Sequence, residues 1–162
     1  MTTERLIHPF GPFYRPDSRI LILGSFPSVK SREQRFFYGH PQNRFWRVLA
    51  ALYNEPVPAA ISEKEALLER RRIALWDVFG ACTITGSADS TIRDASPNDL
   101  TRILDAAPIE RIFVNGKTAG AYYLRHIRPQ LLREATVLPS TSPANAACSF
   151  ERLLAAWRAI LS

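Results

Sequence analysis

Four short apolar runs, each followed by small and polar residues, constrain the fold of this chain more than any other feature. They cover residues 19–23, 73–79, 109–114 and 136–138, and each suits a buried strand. Segments with apolar residues at helical spacing separate and follow them. Residues 43–53 place Phe45, Trp46, Leu49, Leu52 and Tyr53 on one side. The last segment does the same with Phe150, Leu153, Leu154, Trp157, Ile160 and Leu161. Strands alternating with helices predict an α/β fold of three layers, α/β/α, around a central four-stranded, mostly parallel sheet. Ligands of such sheets bind beyond the carboxyl ends of the strands, so the chemistry is expected in the four loops that follow the apolar runs.

Local signals fill in the rest. Pro9, Pro12 and Pro16 among Phe10, Phe13 and Tyr14 predict an extended lead-in over residues 1–18, packed by its aromatics. Residues 24–42 read as one long loop. Ser62 and Glu65 have the spacing of a capping box that opens a helix running to about residue 72. Residues 80–93 read as a polar loop. Ser96 with Pro97 predicts the start of a third helix carrying Leu100, Ile103 and Leu104. A helix over 116–128 is expected to stop at Pro129, and Ser149 to cap the last one. There are no internal repeats, and a chain of 162 residues is expected to form a single domain over 1–162.

Hydrophobic residues make up 46% and charged residues 22%, which excludes a disordered polyelectrolyte. The formal charge of +6 favours a polyanionic partner. Cys82 and Cys148 are too few for a four-cysteine zinc or iron–sulfur site and are expected to be reduced thiols. His8, His40 and His126 have no ligand spacing, so no metal and no cofactor are expected. No signal-like apolar core or run of transmembrane length is present. The expectation is a soluble, cytoplasmic protein with no membrane partner.

One candidate chemistry is a nucleotide P-loop. Gly24, Lys30 and Ser31 are one residue short of the spacing it needs, and residues 73–77 imitate an apolar strand ending in an acidic metal ligand. The failure is at a costly place. Val29 stands where glycine must let the loop amides turn toward phosphate, and Pro27 removes an amide.

The second candidate comes from placing the four loops together: Gly24-Ser-Phe-Pro-Ser28 with Tyr38-Gly-His-Pro-Gln-Asn43; Trp76-Asp77; Asn115-Gly-Lys117; and Pro139-Ser-Thr-Ser-Pro-Ala-Asn-Ala146. This constellation resembles the uracil-DNA glycosylase superfamily, most closely its hypoxanthine-DNA glycosylase branch (family 6, deoxyinosine glycosylases). The resemblance spans nearly the whole chain. It implies a uracil-DNA glycosylase-like domain that takes a damaged base out of DNA and hydrolyses its N-glycosidic bond.

It also implies roles. Tyr38 matches the aromatic on which a flipped base stacks. Phe36 and Phe37 are expected to pack the loop, and Trp46 and Trp157 the core. Phe26 stands where many members carry a water-positioning Asp or Asn, which disfavours ordinary uracil chemistry. Asn43 takes that role in the hypoxanthine branch, orienting water rather than deprotonating it. A helix-capping role competes for the same side-chain oxygen. Backbone amides of Ser25 and Phe26 would hold the leaving base, with Gly24 also in the base-binding turn. Ser140 stands where uracil enzymes have a histidine. Asp77 would accept a ring N–H, or else bond loop amides or a nearby arginine. Pro27, Ser28, Ser142 and Pro143 fit a loop that pinches the DNA backbone, with His40, Lys117 and Asn145 as further DNA contacts. Lys30, Arg32, Arg35 and Arg44 are phosphate candidates or plain surface charges. Ala144 is too small to fill the gap a flipped base leaves.

The expected function is therefore a monofunctional, monomeric DNA glycosylase removing hypoxanthine from deoxyinosine in double- or single-stranded DNA during base excision repair. A uracil or G:U/G:T mismatch glycosylase is the alternative within the class. A non-catalytic nucleic-acid-binding domain is the alternative outside it.

Overall fold

The fold was taken from a computed structural model, which describes residues 3–162. Its centre is strand β2 (Ile20–Gly24), every residue of which is buried. A strand flanked on both edges and covered on both faces has no polar side to present, so it reads as an unbroken apolar run. β3 (Ile73–Asp77) lies along one edge and β6 (Arg111–Asn115) along the other, with β7 (Thr136–Leu138) outermost. All three pairings are parallel, with Gly24 level with Asp77 and Asn115 level with Leu138. The four carboxyl ends therefore finish along one edge, as the alternation of elements requires. The helices are α1 (Val29–Gln34), α2 (Phe45–Tyr53), α3 (Ile61–Arg71), α4 (Thr101–Leu104), α5 (Lys117–Tyr122), α6 (Arg128–Leu131) and α7 (Phe150–Trp157). Helices α2 and α7 pack on each other through Phe45 and Trp157, whose rings meet edge to face at 5.8 Å. Ser149 caps α7 by accepting the Arg152 amide at 3.2 Å, as its sequence position predicts.

A second sheet was not expected. β1 (Thr3–Ile7), β4 (Phe79–Thr85) and β5 (Ala88–Pro97) form an antiparallel sheet in the order β1-β4-β5. Residues 3–7 of the predicted extended lead-in are thus a paired strand. The predicted polar loop over 80–93 is a hairpin, turned at Gly86 with φ of +59°. The second apolar run is two strands, broken after Asp77. The segment after β1 runs to a turn at Pro16–Asp17, and within it Phe13 bonds both ways with Leu75, closing the outer edge of β3.

Four local expectations are corrected. Within the long loop, α1 forms because Ser28 accepts the Ser31 amide at 3.1 Å. Helix α3 opens one residue before Ser62, and the reaching carboxylate is Glu63, which accepts the Ala60 amide at 2.9 Å. Alanine has no acceptor, so only half of a capping box exists. Ser96 and Pro97 end β5, and Asp99 caps the following turn by accepting the Thr101 amide at 3.0 Å. Pro129 does not stop the helix. A π-helical turn over Tyr123–Ile127 leads into α6, whose first turn does not need the missing proline N–H.

Helix α5 packs against β7 at Gly120, where a β-carbon would lie 2.8 Å from both Val137 methyl carbons. Overpacking costs about 1–3 kcal/mol, more than the roughly 1 kcal/mol gained from alanine's helix propensity. Gly120→Ala is therefore expected to lower stability in urea unfolding. In a Val137→Ala background the same change should become neutral or stabilising.

Candidate active site

The carboxyl edge of the parallel sheet opens into a cavity of about 340 Å³, within the range of small-molecule sites. All four loops reach it. Gly24, Ser25, Phe26, Pro27 and Ser28 form one wall, Tyr38, His40 and Asn43 a second, and Asp77 and Asn115 the floor. Ser140, Ser142 and Pro143 close the far side. Of the residues singled out from sequence for DNA contact, Lys117, Asn145 and the phosphate candidates Lys30, Arg32, Arg35 and Arg44 are not in the lining. Lys117 is exposed at the start of α5. Asn145 spends its amide on the Ser140 carbonyl at 3.0 Å, holding its own loop.

The deepest part is built around Gly24. A β-carbon there would lie 2.6 Å from Asp77 Oδ1 and 3.0 Å from Tyr38 Oη, so only glycine fits between them. Asp77 is 4% exposed, and its Oδ2 lies 2.7 Å from His8 Nε2. His8 sits in an aromatic box, with ring centroids 4.4 Å from Trp76, 4.7 Å from Phe10 and 5.6 Å from Phe26. His8 Nδ1 faces the Phe10 amide at 3.5 Å, which leaves the proton on Nε2 to be donated to Asp77. The partner of Asp77 is thus neither a loop amide nor an arginine. It is a histidine from the lead-in, more than sixty residues away in sequence.

Tyr38 is held in a left-handed backbone conformation, φ +54°, unusual for an aromatic residue. Two contacts impose it. Trp46 Nε1 donates to the Tyr38 carbonyl at 3.2 Å, and the Phe45 ring stacks on the tyrosine at 3.9 Å and 17°. Trp46 and Trp157 do pack the core as expected, and both also bond loop carbonyls, Trp157 reaching that of Pro139 at 2.9 Å. The Tyr38 hydroxyl is buried with no hydrogen-bond partner among the described residues. Burial first, and the Asp77 charge second, push the phenol far above the usual tyrosine range, so it stays neutral.

Asn43 lies two residues ahead of α2 and lines the cavity. Its Oδ1 accepts the Phe45 amide at 3.0 Å, so the capping contact exists. A carbonyl oxygen has two lone pairs and the amide nitrogen two N–H groups, so capping does not exhaust the side chain. His40 Nδ1 accepts the Gln42 amide at 3.1 Å and shapes the same turn. Opposite, Asn115 and Thr141 bond reciprocally. The Asn115 amide donates to Thr141 Oγ1 at 2.9 Å, and the Thr141 amide donates to Asn115 Oδ1 at 3.0 Å. Ser140 Oγ accepts the Ser142 amide at 3.1 Å, and Ser142 Oγ the Ala144 amide at 3.2 Å.

Two of the phosphate candidates are committed elsewhere. Arg44 bonds the carbonyls of Cys148 at 2.6 Å and Asn145 at 3.1 Å, and Arg32 those of Pro27 at 2.8 Å and Gly86 at 3.1 Å. Lys30 sits 3.7 Å from Glu33 on the outside of α1, so residues 24–31 do not form a nucleotide P-loop. Among the described residues no group of three or more His, Cys, Asp or Glu side chains could hold a metal ion, and no helix is long and apolar enough to cross a membrane.

The residues that sequence reasoning missed are His8 and Asp89. Asp89, on β5 just past the hairpin turn, lines the cavity, and its Oδ2 accepts the Ser25 hydroxyl at 2.7 Å. Burial first, and the Asp77 charge after it, raise its pKa, while the Ser25 hydroxyl opposes the shift. The alternation Cys82-x-Ile84 ahead of Gly86 signals a hairpin, but nothing local marks either residue as part of the site. If His8 is the resident donor to Asp77, His8→Phe should keep the aromatic packing and leave a buried carboxylate unpaired. The expected loss is about 1–3 kcal/mol in urea unfolding, with an unchanged m value.

Known proteins provide the comparison. The family model described as the uracil DNA glycosylase superfamily matches residues 12–161. A Methanosarcina acetivorans protein named hypoxanthine DNA glycosylase is 40% identical over 135 residues, covering 80% of this chain and 82% of the relative. A Methanosarcina barkeri protein of the same name is 36% identical over 138 residues, covering 84% and 86%. The solution NMR structure of a Methanosarcina acetivorans protein, provisionally described as a uracil DNA glycosylase, superposes with a TM-score of 0.79 at 35% identity, covering 97% of this chain and all of that one. The match runs through all four strand-end loops that make the cavity, and this chain belongs to the uracil DNA glycosylase superfamily.

Proposed function

We propose that this chain removes hypoxanthine from deoxyinosine in DNA by hydrolysing the N-glycosidic bond and leaving an abasic site. The observation that carries the reading is the meeting of Tyr38, Asn43 and the Gly24–Phe26 turn at one cavity, in a chain similar to two proteins named hypoxanthine DNA glycosylase. The flipped base lies against Tyr38, whose other support is the Phe45 ring. Stacking of this kind is worth about 1–3 kcal/mol. Phe26 presents a buried ring where a water-holding carboxamide or carboxylate would be needed for ordinary uracil chemistry, and that ring packs against His8. Asn43 is the nearest alternative. Its Oδ1 is fixed by the Phe45 amide, and its remaining lone pair and N–H groups orient the attacking water. A neutral amide accepts no proton, so the bond breaks ahead of water capture and leaves a sugar cation.

The Ser142–Pro143 turn, stiffened by the Ser142 cap, is assigned to the DNA backbone, together with Pro27, Ser28 and His40. Lys117 and Asn145, outside the cavity, are left with at most peripheral contacts. Action as a monomer on duplex or single-stranded substrate completes the reading.

The test is a base-release panel. Duplex and single-stranded oligonucleotides with one deoxyinosine, deoxyuridine, mismatched thymine or deoxyxanthosine are incubated with protein and treated with alkali. Strand breakage at deoxyinosine above all others is expected. No breakage at any base, with DNA still bound, would establish a binding domain instead. Asn43→Ala is expected to lower single-turnover release by about 100-fold or more while leaving DNA affinity unchanged. A variant that keeps its rate removes Asn43 from the chemistry.

A further inference from the structure

The cavity holds two carboxyl groups, and they are not equivalent. Asp77 accepts the His8 N–H on Oδ2 at 2.7 Å. Asp89 has one donor, the Ser25 hydroxyl on Oδ2 at 2.7 Å, and its Oδ1 has no protein partner among the described residues. The charged and titratable groups around it come from every neighbouring element. Asp77 faces it from β3, Tyr38 from the loop before α2, and Cys82 from β4. Arg32 of α1 is turned to the Pro27 and Gly86 carbonyls, and His40 lines the same cavity. Among the described residues no cation bonds Asp89. Two like charges at one cavity repel each other. Burial, with the Asp77 charge, raises the Asp89 pKa against the opposing Ser25 hydroxyl, and this favours a proton on Asp89, whose Oδ1 faces the cavity unbonded. A negative pair would also oppose the departure of an anionic base. A site built this way has a physical reason to neutralise its leaving group.

We propose that Asp89 is the general acid of base release, donating the Oδ1 proton to a free ring nitrogen of the flipped purine, N7 or N3. This rests on the hypoxanthine reading above. As the C1′–N9 bond breaks, its electron pair goes to the base, the Asp89 proton joins N7 or N3, and hypoxanthine leaves neutral. The water at Asn43 gives its hydroxide to C1′, and its remaining proton returns through solvent to Asp89 Oδ1. A pyrimidine such as uracil has no unprotonated ring nitrogen to receive that proton, so the same residue favours purines. Its place just past the Gly86 turn makes the unexpected hairpin a part of the active site.

The experiment measures single-turnover release of free base across the pH range, on duplexes carrying deoxyinosine, 7-deaza-deoxyinosine or 3-deaza-deoxyinosine. The rate of the wild-type protein on deoxyinosine should fall on the alkaline side as Asp89 ionises. Asp89→Asn keeps an acceptor for Ser25 but cannot supply a proton. It should lower the rate by about 100-fold and flatten the alkaline limb, with duplex affinity unchanged. On one of the two deaza substrates, wild type and Asp89→Asn should cleave equally, which identifies the nitrogen. Ser25→Ala removes the one hydrogen bond favouring the ionised form and should move the limb to higher pH. Equal loss on all three substrates, or an Asn variant that keeps both rate and limb, overturns the role. If the wild-type protein releases no hypoxanthine, the functional reading itself falls and this one with it. Release by wild type with an unaffected Asn variant sinks Asp89 alone.

Discussion

Nothing larger than hydrogen fits on the α-carbon of Gly24. The central strand ends there between the Asp77 carboxylate, 2.6 Å from where a β-carbon would stand, and the Tyr38 hydroxyl at 3.0 Å. That close approach lets two loops from opposite sides of one strand meet at a single cavity. The carboxylate comes from the adjacent parallel strand in level register, and the tyrosine returns over it from beyond α1. A side chain at Gly24 would separate the groups that define the site.

The surrounding structure holds this junction rigid, and at some cost. A left-handed tyrosine and a buried hydroxyl without a partner among the described residues are each unfavourable, on the order of 1–3 kcal/mol. They persist because neighbouring contacts over-determine them. The Phe45 stack and the Trp46 bond fix the tyrosine from α2. The Asn115–Thr141 pair and the Trp157 bond to Pro139 fix the opposite loop from β6 and α7. The site is carried on helices and strands whose apolar faces are themselves buried, so a loop-built cavity gains the precision of the core.

The net positive charge has two uses. Several arginines serve the fold: Arg32 and Arg44 each bond two backbone carbonyls, and Arg111 bonds those of Ala159 and Ile160 at 2.8 Å. Guanidinium groups suit this task because their planar donors can satisfy several loop carbonyls at once. The remaining surface cations suit the attraction to DNA proposed above, which is long-ranged and needs no fixed geometry.

The sequence by itself determined the parallel sheet, the order of its strands along the chain, and the loops at their ends. Apolar runs that alternate with helical spacing allow little else. The motif residues Gly24, Tyr38, Asn43, Asp77 and Ser140 were legible because they stand in the strand-end motifs that carry the family resemblance, and all five line the cavity. The tertiary structure alone decided what those residues touch. His8 as the partner of Asp77 depends on β1 pairing with β4, and Asp89 in the cavity depends on a hairpin folding back over Ser25. It also turned Asn145, Arg32 and Arg44 inward onto loop carbonyls. Contacts such as His8–Asp77 and Ser25–Asp89 join residues more than sixty positions apart, and no local spacing encodes them. They arise from how the two sheets are docked, which depends on packing the whole chain at once.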